Sequence, residues 1–210
     1  MSAASGRRER RSWEQGLLAA LAYPANLAFA GVATFLLALP LVTALPAAIA
    51  GARAMDGWLR HGDDTVFTAT FREFAATWRR TLPLGALSLV VVALLGVDGA
   101  FLWSRLVGGG SAALLLAAAT IPVTVTVALV LLAVPVAATR SPDGSWRSWL
   151  VEAGYLVARR PARAGVLLLL TVAFALTCVL VPTVIPFFGL SVPVYLALVS
   201  LGPSSPGSAT

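Results

Sequence analysis

Apolar and charged positions are segregated along this chain. Charge-free runs cover residues 15–52, 81–97, 106–139 and 164–210, with short charged stretches between them. About 20 apolar residues in a helix cross the hydrocarbon core of a bilayer, and each of the last three runs holds enough for such a span. The first run is too long for one span, and the stretch LPLVTALPAA, Leu39–Ala48, interrupts it. From Leu17 to Leu39 the chain already supplies enough residues, at ~1.5 Å each, to cross a ~30 Å layer. Pro40 then ends that helix, and Thr43 followed by Pro46 resembles a cap with proline in the first turn of a new one.

The new helix, Ala44–Arg60, begins apolar and ends with Arg53, Asp56 and Arg60, so it reads as a short helix that turns back. A single long kinked helix is the competing reading, since membrane helices tolerate proline. Arginine placement separates the two, because positive residues favour the cytoplasmic side. One crossing with the N-terminus inside leaves 5 arginines inside and 10 outside. Reversing it puts 10 inside but strands the RRERR cluster, residues 7–11, outside. A broken helix that goes out and returns puts 14 of 15 arginines inside, with only Arg105 of SRLVGGGS outside. The broken arrangement is the expectation.

The charged stretches are themselves patterned. TVFTATFREFAATWRR sets Phe67, Phe71, Phe74 and Trp78 on one helical face, with Thr68, Arg72, Glu73 and Arg79 on or beside the other. That pattern predicts an amphipathic helix lying in the headgroup region, capped by Asp63 or Asp64, its aromatic row buried against lipid or a partner. DGSWRSWLVEAGYLVARR repeats the spacing with Trp146, Leu150, Ala153 and Val157. Both stretches end in a double arginine, Arg79–Arg80 and Arg159–Arg160, expected as basic anchors, and Gly85 and Gly165 follow five residues later. The common offset suggests two related units, against chance similarity among membrane sequences. The last run breaks as the first does: Ala164–Val181, then PTVIPFFG, then Phe187–Leu201, which reaches only ~22 Å.

These elements predict an all-α, polytopic helical membrane protein with four long spans, short Pro-broken return helices and cytoplasmic amphipathic helices. A basic segment, 1–16, precedes a single helical membrane domain, 17–202, and a disordered tail, 203–210. Composition agrees, with 59% hydrophobic and 11% charged residues against about 25% charged in soluble domains. The net charge of +6 does not point to nucleic acid, because the arginines flank apolar spans, where they meet anionic headgroups. The apolar run behind SGRRERRSWEQG is too long for a signal-peptide core, so the segment is expected to stay as an anchor. One cysteine, Cys178, excludes an intramolecular disulfide.

Reactive chemistry is sparse. The single histidine, His61, sits in RHGDD, where Asp63 and Asp64 are too close in sequence for a usual zinc set, so all three read as a solvated turn and cap. Asp98 is a carboxylate in an apolar stretch; an interfacial anchor and a proton relay are the two readings. Asn26, Thr34, Thr43, Thr124, Thr126, Thr171 and Thr177 suit polar contacts between helices. No phosphate loop, dinucleotide turn or Cys-x-x-Cys pair appears, so no cofactor, metal or enzymatic activity is expected.

Asn26–Leu27, followed by Leu39-Pro40-x-x-Thr43-x-x-Pro46-Ala47, resembles the opening of the YesL-like bacterial membrane proteins. The resemblance continues through Phe71, Phe74 and Trp78 and through LLAVPVAATRSPDGSWRSWLVEAG, where a proline closes the third long span before an amphipathic helix. Phe29 and Val134 depart from it, standing where the family often has tryptophan and an aromatic. The resemblance implies a multi-pass plasma-membrane protein without established activity, found near carbohydrate-uptake genes. The expected function is an accessory or assembly factor for carbohydrate (ABC-type) uptake with a permease subunit as partner. A small secondary transporter, with its site at the broken helices, is the alternative.

Overall fold

The computed structural model describes residues 23–62, 65–107 and 111–202, and every regular element among them is helical. Helix α1 is described over Tyr23–Ala38. It is followed by α2 (Ala44–His61), α3 (Val66–Val107), α4 (Ser111–Arg140), α5 (Trp146–Arg159), α6 (Pro161–Leu180), α7 (Ile185–Phe188) and α8 (Ser191–Leu201). Helices α3, α4 and α6 are long and apolar enough to cross a membrane, and the α7–α8 pair, bent by 55°, adds a fourth if it counts as one span. These apolar helices suggest a membrane protein. The 1–16 segment, the start of the first expected span, the Asp63–Asp64 cap and the 203–210 tail lie outside the described residues.

LPLVTALPAA breaks the chain. Helix α1 ends at Ala38, Leu41–Thr43 form one 3-10 turn, and α2 begins with Pro46 in its first turn. Thr43 stands at the N-cap position but does not cap α2 through its side chain. Its hydroxyl instead donates backwards to the carbonyl of Leu37 at 2.5 Å, a group that the end of α1 leaves unpaired, and to that of Pro40 at 2.9 Å, which also accepts the Thr43 N–H. The Tyr23 ring lies 4.8 Å from that of Trp58, and Thr34 meets Gly51. Early α1 therefore pairs with late α2, and late α1 with earlier α2. The helices are antiparallel, which excludes one long kinked helix.

Helix α2 is the centre of the bundle, packed on α3, α4 and α8. Its residues Ala47, Ile49, Ala50, Ala52 and Met55 are fully buried. Burying a face of alanine and glycine brings helix axes close, which maximises dispersion contact where lipid removes most of the hydrophobic driving force. Gly85 of α3 sits directly on the Val42 carbonyl and the Pro46 ring. At the other end of the chain, Pro182–Val184 form a second 3-10 turn, after which α8 folds back on α6. The two broken hairpins meet where Gly31 of α1 lies against the Phe187 carbonyl and Ser191.

Three expectations need correction. The aromatic stretch is not a separate interfacial helix, because α3 runs unbroken for 42 residues through Arg79, Arg80 and Pro83. At ~1.5 Å per residue it is ~63 Å long, about twice a hydrocarbon core, so its charged first half and its apolar second half form one continuous helix. Pro83 is exposed, so the carbonyl it deprives of a partner remains accessible and the helix is not forced to end. Pro135 likewise lies within α4, which continues to Arg140. Finally, four of the threonines expected to link helices do not; Thr43 alone of the six joins the start of α2 to the end of α1, and the buried Thr171 hydroxyl has no partner among the described residues. The hydroxyls of Thr34, Thr124, Thr126 and Thr177 donate to carbonyls of their own helices.

Candidate functional site

Ser141-Pro142-Asp143-Gly144 joins α4 to α5, and its proline and Asp-Gly pair dictate a turn. The Gly144 N–H closes that turn on the Ser141 carbonyl at 2.9 Å. Ser145 then caps α5, its hydroxyl accepting from the Ser148 N–H at 3.2 Å.

Side chains from three helices hold this loop by its carbonyls. Trp149 Nε1 of α5 donates to Ser141 at 2.8 Å, Arg53 Nη2 of α2 to Pro142 at 2.9 Å, and Arg80 Nη2 of α3 to Gly144 at 2.9 Å. Ser141 Oγ donates to Glu152 at 3.0 Å. Nearby, Arg140 Nη2 donates to the Leu201 carbonyl at 2.5 Å and Arg160 Nη1 to that of Gly202 at 3.2 Å, closing the end of α8. Four arginines thus tie α2, α3, α4 and the α5–α6 junction to backbone of other elements, using charge-assisted bonds stronger than neutral ones.

Arg53 is well enclosed, its side chain only 12% exposed. Glu73 Oε2 lies 3.9 Å away, an ion pair too long for a hydrogen bond, and the guanidinium sits 5.6 Å from the centre of the Trp149 ring. Arg53 Nε has no partner among the described residues. Two clefts flank this group. One of about 300 Å³ is lined by Arg80, Asp143, Gly144, Ser145, Trp146 and Trp149. The other, of about 110 Å³, opens between α2 and α3 beside Arg53, Trp58, Arg72 and Glu73. A third hollow, about 280 Å³ and almost wholly apolar, separates α6 from α7 and α8 near Phe35, Thr171 and Cys178.

The expected site residues divide sharply. Pro40, Thr43 and Pro46 form the helix break. On α3 the buried face is Val66, Thr70, Thr77, Thr81 and Leu84. The aromatic row beside it remains outside: Phe67 and Trp78 are each 37% exposed, and Phe71 and Phe74 are half-buried. The Phe67 and Phe71 rings pack on each other at 5.2 Å. Glu73, expected on a solvated face, turns towards Arg53 instead. Of the double arginines, Arg80 and Arg160 reach inward to carbonyls, while Arg79 lies over Trp78 at 5.4 Å and Arg159 over Tyr155 at 5.3 Å. The α5 face also shifts: Trp149, Ala153 and Leu156 are buried, with Trp146, Leu150 and Val157 only half-buried.

His61 is exposed, its Nδ1 3.2 Å from the Gly57 carbonyl of its own helix. Among the described residues no group of three His, Cys, Asp or Glu side chains is placed to hold a metal. Asp98 is half-buried on α3. Pattern reading missed Arg53 and Trp149. The signals available were a lone arginine within the small-residue run AIAGARAM and a second tryptophan one turn behind the Ser145 cap.

No protein-family model, curated protein or solved structure matches this chain.

Proposed function

We propose that the chain is a multi-pass protein of the bacterial plasma membrane that acts as an accessory or assembly factor for carbohydrate (ABC-type) uptake, docking on a permease subunit through the aromatic row of α3. The carbohydrate assignment rests on the resemblance to the YesL-like proteins. The docking assignment rests on one observation: α3 buries its threonine face against α2 and leaves Phe67, Phe71, Phe74 and Trp78 on the outside. Aromatic side chains bury ~150–250 Å² each, so covering this row is worth several kcal/mol at ~25 cal/mol per Å². Lipid headgroups are the competing cover, with Arg72, Arg79 and Arg80 oriented by the anionic leaflet.

The orientation has the N-terminus and α5 in the cytoplasm. Arg53, Arg80, Arg140 and Arg160 support it by gathering around the α4–α5 loop and the end of α8, while Arg105 lies far along α3. A transporter reading is weakened by three hydroxyls at the two breaks that are spent locally, although the buried Thr171 hydroxyl beside the second break has no partner among the described residues. Thr34 donates to Ala30 and Gly31, Thr43 to Leu37 and Pro40, and Ser191 to Phe187. A substrate site at broken helices needs polar groups free to bind.

The test is co-purification. Replacing Phe71 and Phe74 with serine abolishes recovery of a co-expressed carbohydrate permease while membrane insertion persists. Unchanged recovery would remove the docking role and leave lipid anchoring alone.

A further inference from the structure

The cleft beside the α4–α5 loop carries opposite charges that do not neutralise one another. Arg80 and Asp143 both line it. Among the described residues the ion pairs within 4.0 Å are Arg53–Glu73 and Arg60–Asp56, and neither uses Arg80 or Asp143. Arg80 is held at the wall by the bond from its Nη2 to the Gly144 carbonyl, and the other donors of its five-donor fork bond nothing among the described residues. Asp143 is exposed at the tip of the turn, and its carboxylate accepts no hydrogen bond from the described residues. Trp146, half-buried, supplies an apolar wall.

The cleft also has a definite position. Asp143 follows Arg140 by one short turn, and Arg140 ends the apolar stretch Leu116–Arg140, long enough to cross a membrane. The cleft therefore opens where such a span leaves the hydrocarbon, at headgroup depth, and tryptophan is enriched at that depth. A volume of about 300 Å³ falls at the small end of ligand sites.

We propose that this cleft binds the headgroup of a zwitterionic aminophospholipid, its phosphate on Arg80 and its primary ammonium on Asp143. The planar guanidinium fork matches phosphate oxygens. A primary ammonium carries three N–H donors for a carboxylate, and a quaternary ammonium carries none. A purely anionic headgroup would gain Arg80 but meet repulsion from Asp143, so the paired charges select a zwitterion over an anion. Behind the cleft Arg53 lies 3.9 Å from Glu73 and is also within electrostatic reach of Arg80 and Asp143, one charge of each sign.

The experiment measures lipid binding to the purified full-length chain by native mass spectrometry. The probes are phosphatidylethanolamine, phosphatidylcholine and phosphatidylglycerol with identical acyl chains, together with soluble glycerophosphoethanolamine. Phosphatidylethanolamine should bind about tenfold more tightly than either other lipid, the equivalent of one lost charged contact. Asp143→Asn, which breaks no hydrogen bond described here, should reduce the ethanolamine-to-glycerol preference about tenfold without moving the lipid-free unfolding midpoint. Arg80→Gln should weaken all three lipids, and Arg80→Lys should restore part of the binding. An ethanolamine preference that survives Asp143→Asn would overturn the proposal. Equal affinity for soluble glycerophosphoethanolamine and the lipid would reassign the cleft to a soluble ligand and overturn it as well. Neither result bears on permease docking, which is tested separately at Phe71 and Phe74.

Discussion

Gly31 and Gly154 are indistinguishable by type, each a glycine inside a helix, yet the structure requires opposite responses to alanine. A Cβ on Gly31 would overlap the Phe187 carbonyl and stand 2.9 Å from Ser191 Oγ. The obstacle is backbone, which cannot rotate aside as a side-chain tip would, so α1 and α7 must separate. Overpacking of this kind costs about 1–3 kcal/mol, and a rigid partner puts Gly31→Ala near the upper end. A Cβ on Gly154 meets nothing within 4 Å, so Gly154→Ala keeps only the gain in helix propensity, about 1 kcal/mol. At roughly 2–4 °C per kcal/mol for a chain of this size, Gly31→Ala should lower the unfolding midpoint by about 6–12 °C and Gly154→Ala raise it by about 2–4 °C. Thermal unfolding in one detergent, followed by intrinsic fluorescence with size-exclusion recovery as a second readout, measures both. Equal shifts of the same sign would refute the close contact between the two broken hairpins.

Three further outcomes follow from the same contacts. Trp149→Phe removes the indole donor from the Ser141 carbonyl at 2.8 Å in a buried setting and should cost about 1–3 kcal/mol, read as a fall in the same midpoint. Thr43→Val strips the Leu37 and Pro40 carbonyls of their shared hydroxyl and should cost about 1 kcal/mol, while Thr43→Ser should be near neutral. In a Cys178→Ser background, cysteines placed at Ser5 and at Thr65 should react with an impermeant thiol reagent from the same side; labelling from opposite sides would refute the outward-and-return path through α1 and α2.

The helix break was legible because proline chemistry is local: Pro40 stops one helix and Pro46 suits the first turn of the next, whatever surrounds them. The limits of α3 were not, because two arginines and a proline mark a change of medium without obliging the backbone to turn. Faces were legible in period but not in phase. On α5 the choice between Trp146 and Trp149 as the buried anchor depends on where the Ser141 carbonyl lies, and that is set by the end of α4. Arg53 illustrates the largest gap, since its partner carbonyl belongs to Pro142, 89 residues away. The Thr34 hydroxyl was legible as polar and misjudged in role, because the nearest acceptors inside a helix are its own carbonyls one turn back.

The two double arginines show how far the apparent repeat extends. In each pair the first residue lies over an aromatic ring of its own helix, Trp78 or Tyr155, and the second reaches a carbonyl of a distant element, Gly144 or Gly202. The glycines that complete the pattern do not share a role: a Cβ on Gly85 would strike the Val42 carbonyl, whereas one on Gly165 would meet nothing within 4 Å. Similar arginine chemistry beside dissimilar packing does not require duplication of one unit. Any chain that passes between a charged segment and an apolar helix has carbonyls at turns and helix ends to satisfy and an aromatic belt at hand. One guanidinium directed inward and one outward answers both needs, and the requirement recurs at each such passage without common ancestry.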